Sequence, residues 1–406
     1  MTITEQEVDN EIAWLSSISE KGPGVTRLLY DKHWIQAQQE WKEKFEALGM
    51  KVEFDEVGNL FATLEGSEEP DSIIASGSHI DTVIEGGRFD GQLGIIAPYL
   101  AVKKLIEEKG RPKKSLQVIS MAEEEGSRFP YAFWGSKNIF GIADQKDVED
   151  IVDGEGIKFV DAMRGAGFDF LKGKPRFDKM EAFIELHVEQ GLSLETEGKS
   201  VGVVTGIVGQ KRYDVKVIGE ANHAGTTLMS YRKDAMEGTA RMIASGLDKA
   251  KAAGDPQVLT YGRVDVSPNT VNVVPGEVSF SIDCRHTDQE ALNNFTKELE
   301  EDMKNIANDL GLEIEINLWM DEAPVAMDEK IIETIETVCE EEKLDYKVMH
   351  SGAGHDAQIF APRVPTGMVF VQSLKGISHN PKEFSETKDL VQGIEAVKSS
   401  LEKLAY

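Results

Sequence analysis

Cysteine is nearly absent. Cys284 and Cys339 are the two in 406 residues, too few for a disulfide framework and suited to a reducing compartment. No uninterrupted apolar run approaches the ~20 residues a bilayer span needs. The opening Met-Thr-Ile-Thr-Glu-Gln-Glu has neither the basic segment nor the apolar core of a secretory signal. The expectation is a cytoplasmic chain with no membrane partner. Positive charge is also short, with 44 Lys and Arg against 72 Asp and Glu and a formal net charge of −28. Phosphate binding needs a basic face, so a nucleic-acid partner is excluded. A small anionic ligand would have to be drawn in by a local cation against the overall field. Hydrophobic residues, at 40%, are ample for a packed interior. The length exceeds one ordinary core and predicts two domains.

The stretch from Ser76 to Gly94 organises the rest. Ile73-Ile74-Ala75 reads as a buried strand, delivering His79 and Asp81 to a glycine-broken loop, with Asp90 eleven residues after His79. Gln92 to Ile106 then reads as a helix with Leu93, Ile96, Ala97 and Leu100 on one face. Strand, polar loop, helix is how an open α/β sheet presents ligands at its carboxyl edge. An imidazole and a carboxylate there suit a zinc-type or manganese-type ion, or belong to a solvated turn. One histidine and one aspartate do not make a metal site.

Elsewhere the pattern repeats. Helices are predicted over Glu5 to Ser19 and Asp31 to Leu48, with Trp34, Trp41, Phe45 and Leu48 on one stripe of the second. Strands follow over Lys51 to Phe54 and Leu60 to Leu64. The strand Ser115 to Met121 runs into Glu123-Glu124-Glu125, three carboxylates that either crowd around a cation or form a solvated acidic turn. Glu181 to Gly191 is another strand, ending at His187 with Glu189 and Gln190 beside it. From about Lys211 the chain alternates polar and apolar residues, the mark of a half-exposed antiparallel sheet. Strands over Arg212 to Gly219, Val258 to Val266 and Glu277 to His286, with helices over Ser230 to Lys251 and Gln289 to Leu310, suggest a compact α+β insert. Buried-strand patterning resumes after Trp319, with a helix from Asp328 to Glu342, a core strand Thr366 to Val371, then His379 and a last helix from Thr387 to Leu404. The fold class is α/β: a mixed-sheet domain over residues 1–210 and 324–406, with a smaller ferredoxin-like α+β domain inserted at 211–323. His79, His187 and His379 each follow a predicted core strand, and with Asp90 and one glutamate of 123–125 they make five candidate ligands. No fixed-spacing motif links them.

Several stretches together carry a resemblance. They are Gly77 to Val83, Met121 to Tyr131, Phe133 to Gly141, Glu185 to Gly191, Ala221 to Thr227, Asn269 to Gly276, Ile282 to His286, and Met349 to Phe360. The chain resembles the dinuclear metallo-amidohydrolases related to carboxypeptidase G and the aminoacylases. The branch is that of N-carbamoyl-L-amino acid hydrolases, β-alanine synthase and allantoate amidohydrolase. One departure is Leu228, where relatives often have proline after Gly-Thr-Thr. The resemblance implies hydrolysis of a ureido C–N bond in a small anionic substrate, allantoate ahead of ureidoglycolate or an N-carbamoyl amino acid. It also implies a homodimer in which the insert serves as lid and dimerisation domain.

The resemblance further implies two divalent metal ions, Zn²⁺ or Mn²⁺. His79, Asp90 and His187 would hold one, and Asp90, Glu125 and His379 the other, with Asp90 bridging. Glu124 takes the general-base position. Asp81 would accept the other ring N–H of His79 and fix its tautomer. Arg285 would bind the substrate carboxylate as a bidentate fork, unless it pairs with Asp283 two residues earlier. Asn272 would hydrogen-bond nearby. His223 would stabilise the oxyanion from the partner subunit, or be a satisfied turn histidine. Gln190, Gly354 and His355 would line the pocket, or serve only loop packing.

Overall fold

The computed structural model describes residues 2–406. The chain divides into two compact units, one running to Thr205 and resuming over Ala326–Tyr406, the other Gly206–Val325.

The larger unit is built on a nine-stranded mixed sheet. Its four central strands, Lys114–Met121, Glu69–His79, Met180–Val188 and Thr366–Val371, lie side by side in that order and are all parallel. Their carboxyl ends therefore share one edge of the sheet, where an open α/β sheet places ligands. Leu60–Leu64 flanks this block antiparallel on one side, with Lys51–Phe54 antiparallel to it at the edge, and Val201–Ile207 flanks the block antiparallel on the other. The central strands are buried along most of their length because helices cover the sheet. Thr366–Val371 is buried at every position. Leu93–Lys109 and Thr387–Ala405 pack on each other and on the strands. In the helix Lys32–Ala47, Trp34, Trp41 and Phe45 are fully buried, each aromatic side chain contributing roughly 1.5–3 kcal/mol by leaving water. That helix starts where Asp31 accepts the Trp34 N–H at 2.6 Å and stops before Gly49, which has φ +80°.

The smaller unit has its own core around Val215, Phe280, Leu292 and Met303. Gly209–Ile218 lies between Glu277–His286 and Glu313–Glu322, antiparallel to both. The helices Ala235–Ala253 and Gln289–Asp309 complete a strand-helix-strand-strand-helix-strand order, the ferredoxin-like arrangement. Two expectations change here. The first helix begins at Ala235 rather than Ser230, because the Asp234 carboxylate caps the N–H groups of Met236 and Glu237. The strand expected over Val258 to Val266 is two, Val258–Thr260 and Val264–Ser267, pairing with opposite ends of Glu277–His286. Among the described residues, no helix is long and apolar enough to cross a membrane.

Candidate metal centre

His79 closes its strand, and its Nδ1 lies 3.0 Å from the Asp81 carbonyl oxygen. A carbonyl can only accept, so Nδ1 carries the hydrogen and Nε2 keeps a lone pair. That Nε2 is buried and has no hydrogen-bond partner. His187 is arranged the same way, with Nδ1 3.0 Å from the Val188 carbonyl and Nε2 accepting the Gly91 N–H at 3.2 Å. The loop after the first strand brings Asp90 between them. Its Oδ1 is 3.2 Å from His187 Nε2 and 3.9 Å from His79 Nε2, while Oδ2 is 3.4 Å from His379 Nε2. Gly91 permits this approach: its φ is +63°, and a Cβ there would overlap the His79 ring. His379 Nε2 is also 3.4 Å from Glu125 Oε2, and His79 Nε2 is 3.8 Å from Glu124 Oε2. Two ligand groups, His79–Asp90–His187 and Asp90–Glu125–His379, thus share Asp90, each with its donor atoms within 4.8 Å of one another.

The glutamate run leaves β geometry after Met121, with Glu123 at φ +59° and Gly126 at φ +65°. Asp81 acts differently from expectation. Its carboxylate Oδ1 is 3.6 Å from His79 Nδ1, beyond hydrogen-bond range, and its backbone carbonyl takes that contact. Asp81 Oδ2 instead accepts the N–H groups of Glu124 and Glu125 at 3.0 and 3.1 Å. It therefore fixes the turn that aims both glutamates. Glu123 is buried, and its Oε1 accepts the Ser127 N–H at 3.1 Å.

Charge of one sign is crowded here. Burial and the like charges of Glu125, Asp356 and Asp90 push the Glu124 carboxyl well above the usual range, against the pull of His79. Burial and Asp90 raise Glu125 to about 7. The hydrogen bond to Asp90 holds His379 up at about 9. Carboxylates packed together in low dielectric keep protons unless a cation replaces them. The donor set of three imidazoles and two carboxylates, with an orphaned Nε2 pointing inward, fits divalent cations of the zinc or manganese type.

Other expected residues fall in different places. Gln190, at φ +58°, donates from Nε2 to Asp90 Oδ2 at 2.8 Å. His355 is 1% exposed, with its ring centroid 4.5 Å from that of His187 and Nε2 3.0 Å from Ser351 Oγ. From there it braces His187 rather than facing solvent. Gly354 sits against Gln358 and Phe133. In the smaller unit, Asn222–His223 pairs with Val273–Val274, and the Asn272 carbonyl accepts the Ala224 N–H at 3.0 Å. His223 and Asn272 are thereby brought together. His223 Nδ1 accepts the N–H groups of Gly225 and Thr226, so its Nε2–H is the outward donor. Arg285 does make the ion pair with Asp283, at 2.8 and 2.9 Å. Arg212 shares that carboxylate at 2.9 Å, leaving two guanidinium groups on one aspartate.

Residues 75–403 match the family described as Peptidase family M20/M25/M40. The chain belongs to this family. It is 51% identical to the allantoate amidohydrolase of Escherichia coli (strain K12), covering 100% of this chain and 99% of that one. It is 41% identical to the allantoate amidohydrolase of Bacillus subtilis (strain 168), covering 99% and 98%. Among solved structures, an amidase of the hydantoinase/carbamoylase family from Burkholderia multivorans superposes with a TM-score of 0.93 at 29% identity, covering 98% of this chain and 97% of that one.

Sequence reasoning passed over Glu383 and the role of Ser378. Ser378 Oγ donates to Asp90 Oδ2 at 2.7 Å, and Glu383 accepts the N–H groups of Phe89 and Asp90. A lone glutamate in Pro381-Lys-Glu-Phe384 follows no strand and carries no spacing signal. Only the contact with a loop 294 residues away reveals it.

Proposed function

We propose that the chain hydrolyses allantoate at a ureido C–N bond, giving ureidoglycine, ammonia and carbon dioxide. What carries this reading is the pair of ligand groups sharing Asp90, with Glu124 alongside, in a chain 51% identical to a relative named for that activity. Two divalent cations held by His79, Asp90, His187, Glu125 and His379, zinc or manganese, would supply Lewis acidity and make a water acidic near neutral pH. Glu124 takes the proton of the attacking water and passes it to the departing nitrogen. Asp81 holds the turn from which Glu124 acts. Arg285 receives the substrate carboxylate, with Asn272 beside it. His223 offers its Nε2–H to the developing oxyanion, and comes from the partner subunit of a homodimer in which the smaller unit serves as lid and dimerisation surface. Gln190 and Gly354 line the pocket, and His355 acts through His187. The place of work is the cytoplasm, in keeping with two free, buried cysteines.

The likeness to a structure named for carbamoylase activity favours N-carbamoyl-L-amino acids as the second reading, by the same steps. Ammonia release from manganese-loaded protein, measured across allantoate, ureidoglycolate and a panel of N-carbamoyl amino acids, separates them. Turnover of allantoate well above the others is expected. Activity confined to carbamoyl amino acids would overturn the substrate assignment.

A further inference from the structure

Glu383 is 3% exposed, and a buried carboxyl beside Asp90 is costly unless its contacts repay it. Its contacts are specific. Oε1 accepts the main-chain N–H of Phe89 at 2.9 Å and of Asp90 at 3.0 Å. Oε2 lies 3.0 Å from Ser378 Oγ, and that hydroxyl reaches Asp90 Oδ2 at 2.7 Å. Gly87 makes room: a Cβ there would run into the Glu383 carboxyl. The turn carrying Glu383 is itself closed by its N–H to the Asn380 carbonyl at 2.9 Å. His379, at φ +53°, lies between Ser378 and this turn. One side chain thus ties the loop bearing Asp90 to the turn bearing His379, two segments that share no strand.

We propose that Glu383 is a positioning residue that sets the spacing between Asp90 and His379, and so governs the cation held by Asp90, Glu125 and His379 more than the one held by His79, Asp90 and His187. This rests on the two-cation reading above. The asymmetry follows from how each ligand is carried. His79 and His187 ride on neighbouring parallel strands, so the sheet fixes them without help. His379 comes eight residues after its strand ends at Val371 and is 49% exposed in its side chain. Its separation from Asp90 Oδ2, 3.4 Å, depends on the hydrogen bonds through Ser378 and Glu383. Fixing ligand orientation from outside the coordination sphere typically changes metal affinity about 10–100-fold.

The test titrates the full-length, metal-stripped chain with Mn²⁺ and with Co²⁺, reading stoichiometry, both dissociation constants and the Co²⁺ absorption spectrum, alongside the melting temperature. Wild type should bind two cations. Glu383→Ala should weaken one by about 10–100-fold and leave the other unchanged. Glu383→Gln should return to wild-type affinity, because its amide oxygen still accepts both N–H groups and its amide nitrogen can donate to Ser378 Oγ. If Glu383→Ala fails to fold, Ser378→Ala, which removes the hydroxyl linking Glu383 Oε2 to Asp90 Oδ2 but leaves the Glu383 bonds to the Phe89 and Asp90 N–H groups, should weaken the same single cation. Equal affinities in a folded Glu383→Ala, or in Ser378→Ala where the first variant does not fold, would leave only a structural staple and overturn the proposal. Glu383→Gln behaving like Glu383→Ala would also overturn it, since charge rather than geometry would then be at work. Fewer than two cations in wild type would bring down the two-cation reading and this inference together, whereas two in wild type with no selective loss brings down this inference alone.

Discussion

The candidate residues of the larger unit and those of the smaller unit are built in opposite ways. In the larger unit His79, Asp81, Asp90 and His187 are buried and each is held: carbonyls orient the imidazoles, main-chain N–H groups meet the Asp81 carboxylate, and Gln190 and Ser378 meet that of Asp90. Low dielectric makes each charge there count. In the smaller unit His223 and Asn272 are exposed, and Arg285 is already paired with Asp283. Solvated groups perturb one another little, so His223 and Asn272 have chemistry only toward what they meet. A buried constellation announces a site by its own internal cost, and an exposed one does not.

The largest effect expected is at the residue both ligand groups share. Asp90→Asn keeps size but loses the bridging charge, so it should release both cations and lower turnover about 10⁴-fold or more, since cations supply several kcal/mol of charge stabilisation and each 1.36 kcal/mol is tenfold. Metal content and turnover of the purified variant check this, and full activity with two bound metals would sink the shared-ligand arrangement. Chelation of wild type should lower its melting temperature as well, because a ligand that binds only the folded state stabilises it.

Within the buried cluster, adjacent glutamates should separate cleanly. Glu124→Gln should keep both cations and lose roughly 10²–10⁴-fold in rate, the worth of a proton shuttle. Glu125→Gln should lose one cation. Glu123→Gln should do neither severely. A metal-depleted Glu124→Gln would mean the two roles are exchanged.

The smaller unit's residues should give the reverse signature, with chemistry lost and metal untouched. His223→Ala should fall about 10²–10³-fold in kcat, the usual cost of one oxyanion donor, with both cations retained. Mixing it with the inactive ligand variant His379→Ala should restore part of the activity through heterodimers. Demonstrated subunit exchange with no returning activity would rule out the contribution from the partner subunit.

How far the sequence could be read follows the same division. Lys51–Phe54, Leu60–Leu64, Glu277–His286 and Thr366–Val371 have the bounds that alternation or apolar runs predict. The histidines stand out because His79 and His187 lie at the carboxyl ends of parallel strands and His379 follows a third. Val201–Ile207 was not legible as a strand, since Gly202 and Gly206 dilute its apolar run. The break at Tyr261-Gly262-Arg263 was masked by residues that alternate acceptably on either side. The Asp81 carboxylate and Glu383 act on main-chain N–H groups distant in sequence, and side-chain patterns are blind to backbone partners. The sequence allows Arg285 either the substrate or Asp283, and the structure shows Arg285 and Arg212 sharing the Asp283 carboxylate.

The smallest effect belongs to Leu228, in the exposed region just beyond His223. Its φ is −60°, inside the range a proline ring imposes. Its N–H donates to no protein acceptor among the described residues, and its side chain is 62% exposed. Thr227 before it lies in a bend outside any helix, so a proline after it interrupts no helix. Leu228→Pro therefore removes no hydrogen bond and narrows the unfolded ensemble, and should raise stability by about 0.4–1 kcal/mol with turnover unchanged. Thermal unfolding and steady-state kinetics measure both. A clear loss of stability would mean the segment needs the leucine side chain, and a drop in kcat at unchanged stability would mean that this turn positions His223 more tightly than its exposure suggests.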